Sequence, residues 1–182
     1  MKNSTLYILS FALLLIGSGL KAQVTSPTVP VDQDTKLITY KEVVTIPGTP
    51  GELFNRAIEW INKQYKNPTE ATKVRDQASG VIDIIHRFEL TKDDKGVARP
   101  AGTVDYSMKI EMKEGRYRYT ITNFNYKDVS RKPIEYWMDK KDKAYSPEWD
   151  NYLKQVDDFS RKLIESLKAG MQPPTPKKED KW

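Results

Sequence analysis

The sequence predicts an α+β fold, a two-layer sandwich in which an antiparallel sheet of about five strands carries two helices on one face. Three observations predict it. Residues 103–112 alternate strictly between polar and apolar side chains, which is the period of a strand. Residues 50–65 and 148–169 instead repeat their apolar side chains at helical spacing. Between those two segments the candidate strands are joined by turns and short loops, so consecutive strands run antiparallel.

The order of elements is strand, helix, four strands, helix. Residues 36–46 carry Leu37, Ile38, Tyr40, Val43, Val44 and Ile46 and read as the first strand, ended by Pro47 and Gly48. Thr49-Pro50-Gly51-Glu52 has the spacing of a capping box with proline at the first helical position. Leu53, Phe54, Ala57, Ile58, Ile61 and Tyr65 form one apolar face, and Asn67-Pro68 stops that helix. A short strand over 71–78 and a longer one over 81–90 flank Ser79-Gly80. A two-residue loop there would set Asp76 against Asp83, so a bulge or a three-residue loop is expected. Asp93-Asp94-Lys95-Gly96 reads as a turn and lacks the ligand spacing of a calcium loop.

The next pair is the strongest local signal. Val104, Tyr106, Met108, Ile110 and Met112 alternate with polar residues, and Tyr117, Tyr119 and Ile121 do the same after Glu114-Gly115. A two-residue turn sets Met112 against Tyr117 and Ile110 against Tyr119 on the apolar side, with Glu111 against Arg118 on the polar side. Both faces agree on one register. Lys109, Glu111, Arg116, Arg118, Thr120 and Thr122 then lie on a wet face that no helix covers. Residues 125–147 read as a long irregular connection with Tyr126, Ile134, Tyr136, Trp137 and Tyr145, in which Ile134 and Trp137 would cap a sheet edge. A last helix begins near Ser146-Pro147-Glu148. Its stripe is Trp149, Leu153, Val156, Phe159, Leu163 and Leu167, and Gly170 ends it. The first strand and its helix form a split unit, so strand one pairs with a strand distant in sequence.

The ends and the composition set the location. Lys2, an apolar run over 6–20 and the small residues before Gln23 have the order of a secretory signal, with cleavage after Ala22. An uncleaved anchor is the alternative, but the run is short for a permanent span. Residues 23–35 read as a flexible linker, 36–169 as the single domain and 170–182 as a flexible tail ending in Trp182. The chain has no cysteine, which excludes disulfides, thiolate chemistry and lipid attachment at a lipobox. Removing Lys2 and Lys21 from 30 basic residues leaves 28 against 25 acidic ones, an interleaved surface rather than a polyanion-binding one. The protein is therefore expected to be periplasmic or secreted, not a lipoprotein, with no integral membrane span after cleavage.

Two segments resemble a known family. They are Glu52-Leu53-Phe54-Asn55-Arg56-Ala57-Ile58-Glu59-Trp60 in the first helix, and the hairpin Lys113-Glu114-Gly115-Arg116-Tyr117-Arg118-Tyr119-Thr120-Ile121-Thr122-Asn123-Phe124. Together they resemble a secreted bacterial domain of unknown function described as having a TATA-box-binding-protein-like (TBP-like) fold. The likeness covers residues 36–124, with the last helix compatible. It implies a curved antiparallel sheet with helices behind it, as in one half of the DNA-binding protein, and brings no activity and no catalytic residues. DNA binding does not follow from the fold. Export and the mixed charge of the open face argue against nucleic acid, and Tyr117 and Tyr119 share a face with Ile121 rather than standing free to stack bases.

No catalytic or metal constellation is legible, and no cofactor is expected. The single histidine, His86, shares a column with Ile82, Ile84 and Phe88 and reads as a partly buried core residue. No nucleophile elbow, HExxH helix or phosphate-cradling loop accompanies it. The leading expectation is a non-enzymatic binding module of the cell envelope. It would use the open sheet face, through Arg116 and Arg118, and the aromatic loop 125–147, through Tyr126, Tyr136 and Trp137, to hold an envelope protein or glycan. The alternatives are a small hydrolase or lyase using His86 with nearby carboxylates, and a structural subunit of a surface assembly engaged through a sheet edge or the Trp182 tail.

Overall fold

The computed structural model describes residues 29–127 and 130–174; the signal-like segment, the start of the linker and Trp182 lie outside them. Ten elements follow in order: β1 Tyr40–Thr45, α1 Pro50–Gln64, α2 Pro68–Ala71, β2 Thr72–Asp76, β3 Val81–Asp94, β4 Val97–Lys113, β5 Arg116–Lys127, β6 Arg131–Pro133, a 3-10 turn Ile134–Met138, and α3 Glu148–Gly170. The sheet runs β1-β5-β4-β3-β2, with β6 also on β5, and every pairing is antiparallel. This is the expected α+β order with a sixth short strand. Strand one pairs with β5, distant in sequence, as the split unit requires.

The central hairpin has the register that its two faces dictate. Met112 opposes Tyr117, Ile110 opposes Tyr119 and Glu111 opposes Arg118. The apolar side of these strands meets α1 and α3. Ile82, Ile84, Met108, Ile110, Ile121, Leu53, Ala57, Ile61, Val156 and Leu167 are buried there in one core. The Thr49–Glu52 capping box is present: Glu52 N donates to Thr49 Oγ1 at 3.3 Å and Thr49 N to Glu52 Oε2 at 2.8 Å. On edge strand β1, Glu42 stands at the exposed rim of the helix side. It accepts from Tyr119 Oη at 2.7 Å and from Lys168 Nζ at 2.7 and 2.9 Å, which ties β1, β5 and α3 together.

Several expectations are corrected. Residues 29–35 are not a linker, because Val29 is buried, Val31 bridges to Ile38, and Asp32 accepts from the Thr35 backbone and hydroxyl. At the other end Met171 is fully buried, so residues 170–171 belong to the domain. Gly170 is the last residue of α3, as expected, and a Cβ there would sit 2.7 Å from Trp60 Cδ1, so its smallness also admits the indole. Asp76 is not set opposite Asp83: a four-residue loop, residues 77–80, sets Asp76 against Val81 and Val74 against Asp83, in adjacent rows of one face. The bulge lies upstream, between Thr72 and Val74. β3 and β4 run on past the expected strands to a two-residue turn at Lys95-Gly96, both with positive φ, in which Gly96 N donates to Asp93 Oδ1.

Of the expected irregular connection 125–147, residues 139–147 are turns and coil, whereas most of the described residues before them form regular elements. β5 continues to Lys127 because an extra residue at Asn123, φ 57°, bulges the strand and turns Phe124 and Tyr126 toward the core. β6 then returns on β5 and the 3-10 turn buries Ile134 and Trp137.

Candidate functional site

Both long helices and the 3-10 turn lie on the same side of the sheet, so the other side is uncovered. Its rows follow from the pairing. Val74, Asp83, Lys109, Thr120 and Lys41 stand side by side across five strands. Asp76, Val81, Glu111, Arg118 and Val43 form the row beside it. Ile85, Ser107 and Thr122 form the row on the other side. A trough of about 550 Å³ runs over this face between Lys41, Asp83, Ile85, Lys109, Arg118 and Thr122. A smaller depression of about 220 Å³ adjoins it at the hairpin end, between Val43, Lys113, Arg116 and Arg118.

The charges are partly matched. Arg118 clasps Glu111 with two bonds of 2.7 Å, from Nε and Nη2 to the two carboxylate oxygens. Lys109 Nζ lies 3.7 Å from Asp83 Oδ1. Lys113 and Arg116 are exposed and have no ion-pair or hydrogen-bond partner among the described residues. Three large apolar side chains are left open on the same face: Val43 is 55% exposed, Ile85 45% and Val74, on the edge strand β2, 39%. The face thus offers fixed polar rows, the cations Lys113 and Arg116 without a side-chain partner among the described residues, and three apolar contacts.

The five residues read from sequence as a site do not come together. Arg116 and Arg118 are on the open face, at the hairpin end. Tyr126, Tyr136 and Trp137 are on the helix side, at the far end of β5. Trp137 is 1% exposed, with its ring among Tyr126, Tyr136 and Tyr152 at 5.5–5.9 Å between centroids. Tyr126 is half-buried; its hydroxyl donates to Ala101 O at 3.0 Å, and its ring covers Gly102, where a Cβ would sit 2.5 Å from it. Tyr136 packs edge-on against Trp149 of α3. These aromatics seal one end of the core. Sequence reading missed Lys41, Val43, Asp83 and Ile85 as neighbours of Arg118 and Lys109. Only the β1–β5 pairing and the β3–β4 register bring them there.

His86 is a second correction. It is exposed, its ring tilted against Tyr65 at 4.9 Å, in a cleft of about 440 Å³ shared with Glu70 and Asp105. No described residue hydrogen-bonds it, so nothing orients its ring as a base. Tyr65 Oη and Tyr106 Oη lie 3.1 Å apart behind it. Burial pushes the Tyr65 phenol up to about 12 and raises that of Tyr106 further. Among the described residues no group of three or more histidine and carboxylate side chains gathers to hold a metal, and no helix is long and apolar enough to cross a membrane.

Comparison with known proteins agrees with this architecture. No curated protein matches the chain. Among solved structures, a TBP-like protein from Parabacteroides distasonis ATCC 8503 superposes with a TM-score of 0.65 at 16% identity, over 81% of this chain and 99% of its own. A DUF4468 family protein from Bacteroides ovatus ATCC 8483 gives 0.63 at 14% identity, over 82% and 94%. At that identity the likeness is one of fold. Residues 40–127 match the family model described as a domain of unknown function (DUF4468) with TBP-like fold, the stretch from β1 to the end of β5 that builds the open face.

Proposed function

We propose that the chain is an exported, non-catalytic binding module of the cell envelope, released after Ala22, whose open sheet face holds a partner. The observation that carries this reading is the uncovered side of the sheet, where Lys41, Lys109 and Arg118 rim a trough and Val43 and Ile85 stand exposed. Helices cover the other side except at the His86 cleft, and a sheet with one largely dry and one structured polar face needs no ligand for its own stability. Matched rows such as Asp83–Lys109 and Glu111–Arg118 complement a protein surface with its own ion pairs. No exposed aromatic ring lies along the trough as a stacking platform for a sugar, so an envelope protein is favoured over a glycan. The signal-like first 22 residues support the location.

Charge reversal tests it. Lys109→Glu combined with Arg116→Glu leaves the core untouched. The native protein is expected to sediment with the isolated envelope fraction and the double variant to lose at least five-fold in the bound share. Equal sedimentation of a folded double variant overturns the reading. Binding that survives protease treatment of the fraction but not glycosidase treatment moves the partner to a glycan.

A further inference from the structure

β3 outruns its outer neighbour. β2 covers it only as far as Thr72 opposite Ile84, whereas β3 continues ten residues further, to Asp94. Beyond Ile84 the outer edge of β3 has no strand beside it. At Thr91 the orientation of that edge is visible directly. Thr91 N donates to Gln155 Oε1 at 3.0 Å, and Gln155 Nε2 donates to Thr91 O at 2.8 Å. The side-chain amide of α3 bonds the strand as a neighbouring strand's peptide group would. The irregularity in the pairing beyond Glu89 falls on β4, at Ala101-Gly102, so the alternation of β3 itself is unbroken. Glu89 and Arg87 therefore also turn their N–H and C=O outward. No described group bonds them.

Unpaired edges are usually blunted by pairing, bulging or covering. Here Gln155 blunts one position and leaves the two before it open. The cleft beside them is about 440 Å³ and holds four cations, Lys66, Lys73, Arg87 and Arg131, against two carboxylates, Glu70 and Asp105. Arg131 lies 3.7 Å from Asp105, and Lys66 and Arg87 have no partner among the described residues. A second copy centred on Arg87 would oppose Arg87 to itself and one centred on Phe88 would set Arg87 against Glu89, whereas an acidic segment meets the excess of cations across the whole cleft. We propose that the open edge of β3 at Arg87 and Glu89 takes an extended acidic peptide segment as an added strand, with its carboxylates on Arg87 and the lysines of the cleft. The cleft shares Ile85 with the trough of the open face, but the strand addition uses the backbone edge beyond Ile85 and does not depend on that trough holding a partner.

The probe is a capped Glu-Val-Glu-Val-Glu-Val peptide titrated into the purified native chain and followed by calorimetry. Saturable binding is expected, at least ten-fold tighter than that of the Lys-Val counterpart. Two further probes carry N-methyl groups, one on the glutamates and one on the valines; since only alternate N–H groups face the strand, one is expected to lose at least ten-fold and the other to bind. Glu89→Pro removes an outward N–H that serves no ladder bond, so its thermal transition is expected to persist while peptide affinity falls at least ten-fold. Equal binding of both N-methylated probes, or no saturation up to about 1 mM, the weak end of specific association, overturns the proposal. So does a Glu89→Pro variant that alters self-association and leaves peptide affinity unchanged.

Discussion

Gly170 and Trp137 show how much single side chains decide. A methyl group at Gly170 would press on Trp60 at 2.7 Å, where the indole Nε1 donates to Ser166 Oγ at 3.0 Å and cannot retreat freely. Gly170→Ala is expected to destabilise by about 1–3 kcal/mol despite its better helix propensity; a urea midpoint at or above the native value would contradict that packing. Trp137→Ala, at 1% exposure, is expected to cost about 3–5 kcal/mol. Loss of any partner in that variant therefore reports unfolding rather than a lost contact. The carboxyls of Glu42, Glu52, Asp32 and Asp76 are all held below their ordinary values. The causes are bonds from Lys168 and then Tyr119, from Thr49 N, from Thr35 N, and from Ser79 Oγ respectively. Folded values below unfolded ones mean stabilisation that is complete above the unfolded value and lost as pH falls through the folded one. The urea midpoint is expected to hold from neutrality down to the ordinary glutamate value of 4.5 and to fall below it. Glu42→Gln should flatten part of that fall, and an unchanged acid slope would remove Glu42 from the account.

At the scale of elements, the hairpin and the caps were legible and the edges were not. Strict alternation on both sides of Glu114-Gly115 left one register consistent with both faces, and Glu111 meets Arg118 as that register demands. A double-mutant cycle on this pair, which is partly solvated, is expected to give a coupling of about 0.5 kcal/mol; zero coupling would mean the clasp is absent in solution. The capping box was equally local, and Thr49→Ala is expected to cost about 1 kcal/mol by thermal denaturation. What escaped the sequence depended on pairing across distance. The end of β5 looked irregular because the bulge at Asn123 breaks the period of two and reverses which residues face inward. Tyr126 and Trp137 then looked like free aromatics, although burial was the reason they are large. His86 sat in an apolar column, but β2 ends before reaching it, and so the column opens to water there. The open face itself was readable from β4 and β5, while Lys41, Val43 and Ile85 entered it only through neighbours distant in sequence.

For the whole molecule, one layer of helices on one side of a twisted sheet divides the surface into two kinds. The helix side is closed by α1, α3 and the sealed aromatic end. The sheet side presents ordered rows of charge with Val43 and Ile85 among them. Burial raises the phenols of Tyr40, Tyr106 and Tyr119 and pushes Tyr117 up to about 12, so the core is expected to weaken as pH rises above the ordinary phenol value of 10. The measurement that bears most directly on the open face as the working surface is lysine footprinting of the native chain, in intact cells and after purification. Lys41 and Lys109 report the open face, and Lys63 on α1 and Lys162 on α3 report the helix side; all four are exposed in the isolated chain. The account predicts that Lys41 and Lys109 are protected several-fold in cells while Lys63 and Lys162 react as they do in the purified protein. Protection of Lys63 and Lys162 with Lys41 and Lys109 unchanged would place the partner on the helices and contradict it.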